Sequence, residues 1–163
     1  MDQKTIYLVR HGKIKTDTQR CYIGQIDLPL TGEGFQQAKA LSNKLGRLKI
    51  EAVYSSDLSR SRDTAKEIAL KHGLIPQERA DLREISLGKW EGVTFAEVST
   101  RYPEEFKRRG EDIGYFRPPG GESFADCSQR IVAAFQDILK TPFQNIVIVG
   151  HAGINRVLIC HVL

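Results

Sequence analysis

Asn145-Ile146-Val147-Ile148-Val149-Gly150-His151 is the stretch that decides the fold. Its middle is continuously apolar and β-branched, too short for a helix, and closed by glycine. Such a run reads as a strand buried on both faces, the kind that parallel sheets use. Ile6-Tyr7-Leu8-Val9-Arg10 has the same character and ends in His11-Gly12, so it too reads as a buried strand. Glu51–Ser55 is a third short run. Helical patterns fill the spaces between them. Over residues 32–47, Phe35, Ala38, Leu41 and Leu45 share one face, with Thr31 placed as N-cap. Ser56 or Asp57 is placed to cap a second helix, whose inner side carries Leu58, Ala65, Ile68 and Ala69 and which Gly73 ends. Residues 81–92 read as irregular, and a helical pair broken at Pro103 covers 94–109. After the loop Pro118-Pro119-Gly120-Gly121, Ser123 caps a long helix with an inner face of Phe124, Cys127, Ile131, Phe135 and Ile138. A last helix begins near Gly153. Strands alternating with helices predict an α/β fold: a three-layer sandwich, with helices on both faces of a mostly parallel open sheet.

The bulk composition narrows the function classes. A chain of 163 residues, 40% hydrophobic and 27% charged, suits a single globular domain over 1–163. The longest apolar runs are far too short to span a bilayer, which argues against a membrane partner. Met1–Lys4 lacks the apolar stretch of a signal peptide, so a cytoplasmic location is expected. Cys21, Cys127 and Cys160 form no close-spaced pair and no metal pattern; they read as reduced thiols, with no metal site. The net charge of +4 suits an anionic substrate. No basic block is interleaved with aromatics, so nucleic acid is not an expected partner. A homodimer is left open.

In open parallel sheets, ligands bind beyond the carboxyl ends of the strands. Those ends carry Arg10-His11-Gly12, then Ser55-Ser56-Asp57 leading into a helix with Arg60 and Arg62, and Gly150-His151-Ala152-Gly153. Parallel strands bring these groups to one edge. Two histidines, at least two arginines and two helix N-termini would then share a pocket that fits a dianionic phosphate. Arg60 and Arg62 lie two positions apart on a helix and point roughly 200° away from each other. Arg60 is nearer the helix start and is favoured for the site; Arg62 is expected to face solvent or pair with a carboxylate.

These residues resemble the histidine phosphatase superfamily, also called phosphoglycerate mutase-like. Leu8-Val9-Arg10-His11-Gly12 is similar to its signature. Similar motifs follow in order: Gly24–Thr31, Tyr54–Arg60, Leu82-Arg83-Glu84-Ile85, Gly88-Lys89-Trp90-Glu91-Gly92, Pro119–Ser123 and Val149–Gly153. The resemblance implies that His11 is the nucleophile, that Arg10, Arg60 and His151 hold the transferring phosphoryl group, and that Glu84 donates the proton. It implies no cofactor and no metal, and a small phosphorylated metabolite as substrate. The segment between Trp90 and Pro118 is short, which favours hydrolysis over the mutase reading. Alpha-ribazole phosphatases are similar in length and motif style, making alpha-ribazole 5'-phosphate one candidate substrate. Phosphoglycerate mutase-type transfer is the second reading, and a non-catalytic module on the same fold the third.

Arg20, Tyr22 and Gln25 are candidates for the substrate side. Glu91 is expected to hold its loop, Glu122 to cap the following helix, and His72 and His161 to be ordinary helix residues. Cys21 lies near the pocket in sequence. Ile14 and Asp17 stand where many members carry Thr and Asn, and an aspartate there would repel phosphate. The resemblance also implies a further helix and strand after the His151 helix, whereas the chain ends at Leu163.

Overall fold

A computed structural model describes residues 3–16 and 20–163. Four strands form one wholly parallel sheet: β1 (Thr5–Arg10), β2 (Ala52–Ser55), β3 (Gln77–Glu78) and β4 (Asn145–Gly150). Their order is β1-β4-β2-β3. The helices are α1 (Gly32–Leu45), α2 (Ser59–Leu70), α3 (Phe95–Arg101), α4 (Pro103–Glu111), α5 (Phe124–Leu139) and α6 (Ala152–Val162). Single turns of 3-10 helix at Ala80–Leu82 and Gly88–Trp90 punctuate the irregular segment.

Side-chain alternation along the strands sorts the core into two layers. Ile146 and Ile148 of β4, Ala52 and Tyr54 of β2 and Ile6 and Leu8 of β1 face a cluster built with α5 and α6. Val147 and Val149, Val53, and Tyr7 and Val9 face the opposite cluster, built with α1 and α2. β4 pairs on both sides and is buried through most of its length. Each of its Ile or Val side chains contributes roughly 2 kcal/mol of transfer free energy on burial.

Four sequence expectations are corrected. Among the described residues β1 pairs with β4 alone, and of its side chains only that of Val9 is buried. Phe35 is 41% exposed, because α1 turns Gly34, Ala38, Ser42 and Leu45 inward. The α2 N-cap is Leu58, which has no capping side chain. Ser56 and Asp57 are otherwise engaged, by His151 and Arg83, and Asp27 reaches across to accept from the Ser59 N–H at 2.7 Å. Glu122 does not cap α5: Ser123 and Asp126 form a reciprocal capping box there, and Glu122 binds Ser86 and Arg130. Thr94 and Glu97 make the same device at α3.

Candidate active site

Register places the two histidines. Arg10 of β1 pairs with Gly150 of β4, so the next residues, His11 and His151, leave adjacent strand ends side by side. Their ring centroids are 5.1 Å apart. The Nδ1 of His11 lies 2.7 Å from the carbonyl oxygen of Gly12. A carbonyl only accepts, so Nδ1 carries the hydrogen and Nε2 keeps its lone pair. Burial pushes the His11 pKa down from 6.5 to about 4, with Arg60 and Arg10 adding to the fall against the Gly12 hydrogen bond. The dominant cause is desolvation; the opposing Gly12 hydrogen bond comes next, and the arginines after it.

His151 is 0% exposed. Its Nδ1 accepts from Arg60 Nε at 3.3 Å, which leaves Nε2–H to donate to Ser56 Oγ at 2.7 Å. Both ring nitrogens are therefore engaged within the protein, and the ring sits beside His11 and against Arg60. Burial, followed by the charge of Arg60, holds it neutral well below the usual imidazole range.

Arg60, in the first turn of α2, is 1% exposed. Besides His151 it donates to the carbonyls of Ile26 at 2.6 Å and Gly24 at 2.8 Å. Among the described residues it has no carboxylate within ion-pair distance; Glu84, Asp27 and Glu91 act on its charge from further off, and its direct partners are carbonyls and His151, which leaves the cation able to take an anion. Arg62 points the other way and pairs with Asp63 at 3.5 Å.

Glu84 reaches the same place from the loop after β3. Its carboxylate accepts from the N–H groups of Ile85, Gly153 and Ile154 at 3.0, 3.0 and 3.2 Å. A Cβ on Gly153 would come within 2.4 Å of Glu84 Oε1, so this glycine permits the approach.

Arg10, His11, Arg60, Glu84 and Gly153 line one cleft of about 340 Å³. Its other walls include Ile14, Cys21, Tyr22, Ile23, Leu87, Phe95 and Phe124. Tyr22 is 5% exposed and packs on Phe95 and Trp90, with ring centroids 4.2 and 5.3 Å away. Arg20 does not line this cleft; its backbone carbonyl accepts from Phe95 instead. Gln25 lies beneath, with Nε2 donating to the Glu84 carbonyl at 3.0 Å. Glu91 accepts from the N–H groups of Gln25 and Leu87 and ties two loops together. Asp17 lies outside the described residues. Among the described residues, no group of three or more His, Cys, Asp or Glu is arranged to hold a metal ion.

Two cleft cations escaped the sequence reading. Arg156 stands on α6 five residues after His151, so helical spacing from Ala152 and Gly153 would have placed it. Arg109 comes from α4, its guanidinium 5.5 Å from the Tyr22 ring centroid. Nothing local signals that docking.

The comparisons agree with this geometry. The family model of the histidine phosphatase superfamily (branch 1) matches residues 6–163. Phosphoserine phosphatase 1 of Hydrogenobacter thermophilus is 33% identical over 159 residues, covering 97% of this chain and 75% of that protein. Phosphoglycerate mutase-like protein 4 of Arabidopsis thaliana is 37% identical over 164 residues, covering 96% and 70%. Among solved structures, a putative alpha-ribazole-5'-P phosphatase from Escherichia coli superposes with a TM-score of 0.91 at 27% identity, covering 98% of this chain and 79% of that one. The chain belongs to the histidine phosphatase superfamily. No helix among the described residues is long and apolar enough to cross a membrane.

Proposed function

We propose that the protein hydrolyses small phosphomonoesters, without a metal, through a phosphohistidine on His11. The observation that carries this reading is the tautomer of His11: a neutral ring, Nδ1–H held by Gly12, and Nε2 free in a cleft shared with Arg10, Arg60 and Glu84. The phosphatase names among its relatives support it.

In the first step the Nε2 lone pair forms a bond to phosphorus as the ester P–O bond breaks. Arg60 and Arg10 balance the charge on the equatorial oxygens. Protonated Glu84 gives its proton to the departing alkoxide. In the second step Glu84, now a carboxylate, takes a proton from water, whose oxygen attacks phosphorus as the P–N bond breaks. Phosphate leaves, and His11 and Glu84 return to their starting forms. His151 keeps the floor of the site neutral and holds Arg60 through its Nε–H. The apolar walls fit the carbon body of the leaving group. Alpha-ribazole 5'-phosphate and phosphoserine are the first esters to offer, given the names of the relatives.

Phosphate release from p-nitrophenyl phosphate in EDTA tests this. Wild type is expected to turn over, and His11→Ala to lose at least ~1,000-fold. Activity that survives His11→Ala, or that requires added metal, rejects the reading. Phosphoryl transfer between positions of phosphoglycerate without phosphate release would favour the mutase instead.

A further inference from the structure

The segment carrying Glu84 is wrapped around a second arginine, one that is not among the cleft-lining residues. Arg130, half-buried on α5, sends Nη1 to the carbonyls of Asp81 at 2.7 Å and Arg83 at 3.0 Å, and Nη2 to that of Glu84 at 3.5 Å. Three carbonyl dipoles pointing at one spot repel each other unless a cation sits between them. Glu122 completes the unit. Its carboxylate takes Arg130 Nε at 2.9 Å and Nη2 at 2.8 Å, and accepts from the Ser86 N–H at 2.9 Å. The backbone is thus clamped on both sides of Glu84, before it by Arg130 and after it by Glu122. A bidentate pair between a planar guanidinium and a carboxylate is a stiff choice for such a clamp.

The remaining bonds of Glu84 are few. Its carboxylate hangs on the Ile85 N–H and on N–H groups at the start of α6, and its own carbonyl is shared between Arg130 and Gln25. We propose that Arg130 and Glu122 are positioning residues for the proton donor, fixing Glu84 where it meets the leaving-group oxygen. This rests on the acid role given to Glu84 above.

A displaced acid has a kinetic signature that a merely weakened fold lacks. Nitrophenolate leaves without protonation, whereas an alkoxide needs it, so a defect at the acid penalises alkyl esters selectively. The experiment compares kcat/KM for glycerol 2-phosphate and p-nitrophenyl phosphate in wild type, Glu84→Gln, Arg130→Met and Arg130→Lys. The ratio of alkyl to nitrophenyl activity is expected to fall by about 100-fold in Glu84→Gln and by about ten-fold in Arg130→Met, mostly through kcat, with partial recovery in Arg130→Lys. Should Arg130→Met fail to fold, Glu122→Gln is measured in its place, with the same fall expected. A ratio that falls in Glu84→Gln but holds at the wild-type value in the Arg130 and Glu122 variants overturns the positioning role and leaves the acid standing. A ratio unchanged in Glu84→Gln overturns the acid role, and the positioning role with it.

Discussion

At His11 one hydrogen bond and one burial effect act together. The bond to Gly12 selects the tautomer, and desolvation keeps the ring neutral down to about 4. Neutrality has a consequence for stability. Between 6.5 and about 4 the unfolded chain binds a proton at this position that the folded chain does not. The contribution is therefore fully present above the ordinary imidazole range and is lost as pH falls through that window, and His151 acts in the same direction. Melting temperature should drop on acidification across it, and His11→Ala should flatten that part of the curve, as read by calorimetry. Parallel curves for wild type and variant would contradict the shift. The sequence reading brought His11, His151 and Arg60 together for a physical reason: a strand end is a local feature, and so is the divergence of Arg60 from Arg62. The burial that keeps His11 neutral is not visible in a residue list. What it could not read is the partner of His151: Ser56, 95 positions away, holds one of its ring nitrogens.

Among the elements, the start of α6 matters most. Its first N–H groups are satisfied by Glu84, a residue that arrives from the far edge of the sheet. The helix gains a carboxylate at its positive end, and the carboxylate gains a fixed place. Gly153 is what lets the two meet. Gly153→Ala should push the flexible end of Glu84 aside at little cost to folding, since the atom displaced is a side-chain terminus. A fall in kcat of about ten-fold or more, with a melting temperature within about 3 °C of wild type, is the expected result. An unchanged kcat would mean that Glu84 does not act from this position. Helix existence was legible in the sequence, since the apolar faces of α2 and α5 repeat at helical spacing. Caps were less so. Ser123 was readable because its partner lies three residues on, but the start of α2 is served by Asp27, 32 residues away. Glu122 was misread for the same reason, its partners being Ser86 and Arg130.

For the whole molecule, the parallel sheet is the device that makes the site. Alternation along β4 splits the core into two layers, and the register of β1 on β4 sets His11 beside His151. The α/β class followed from the order of apolar runs, and the convergence of strand ends followed from the class. What stayed hidden was tertiary: β1 paired with β4 alone among the described residues, β3 with only two residues, and the docking of α4 that brings Arg109 to the cleft. The central claim is that this edge delivers a neutral imidazole nitrogen to phosphorus. The most direct test mixes enzyme with p-nitrophenyl phosphate, quenches the first turnover in base, where a phosphorus–nitrogen bond survives, and maps the phosphoryl group by peptide mass spectrometry. The account predicts one phosphoryl group on the peptide that contains His11, removed by mild acid and absent from His11→Ala. Turnover with no phosphoryl group on His11, or with the group on another side chain, would contradict it.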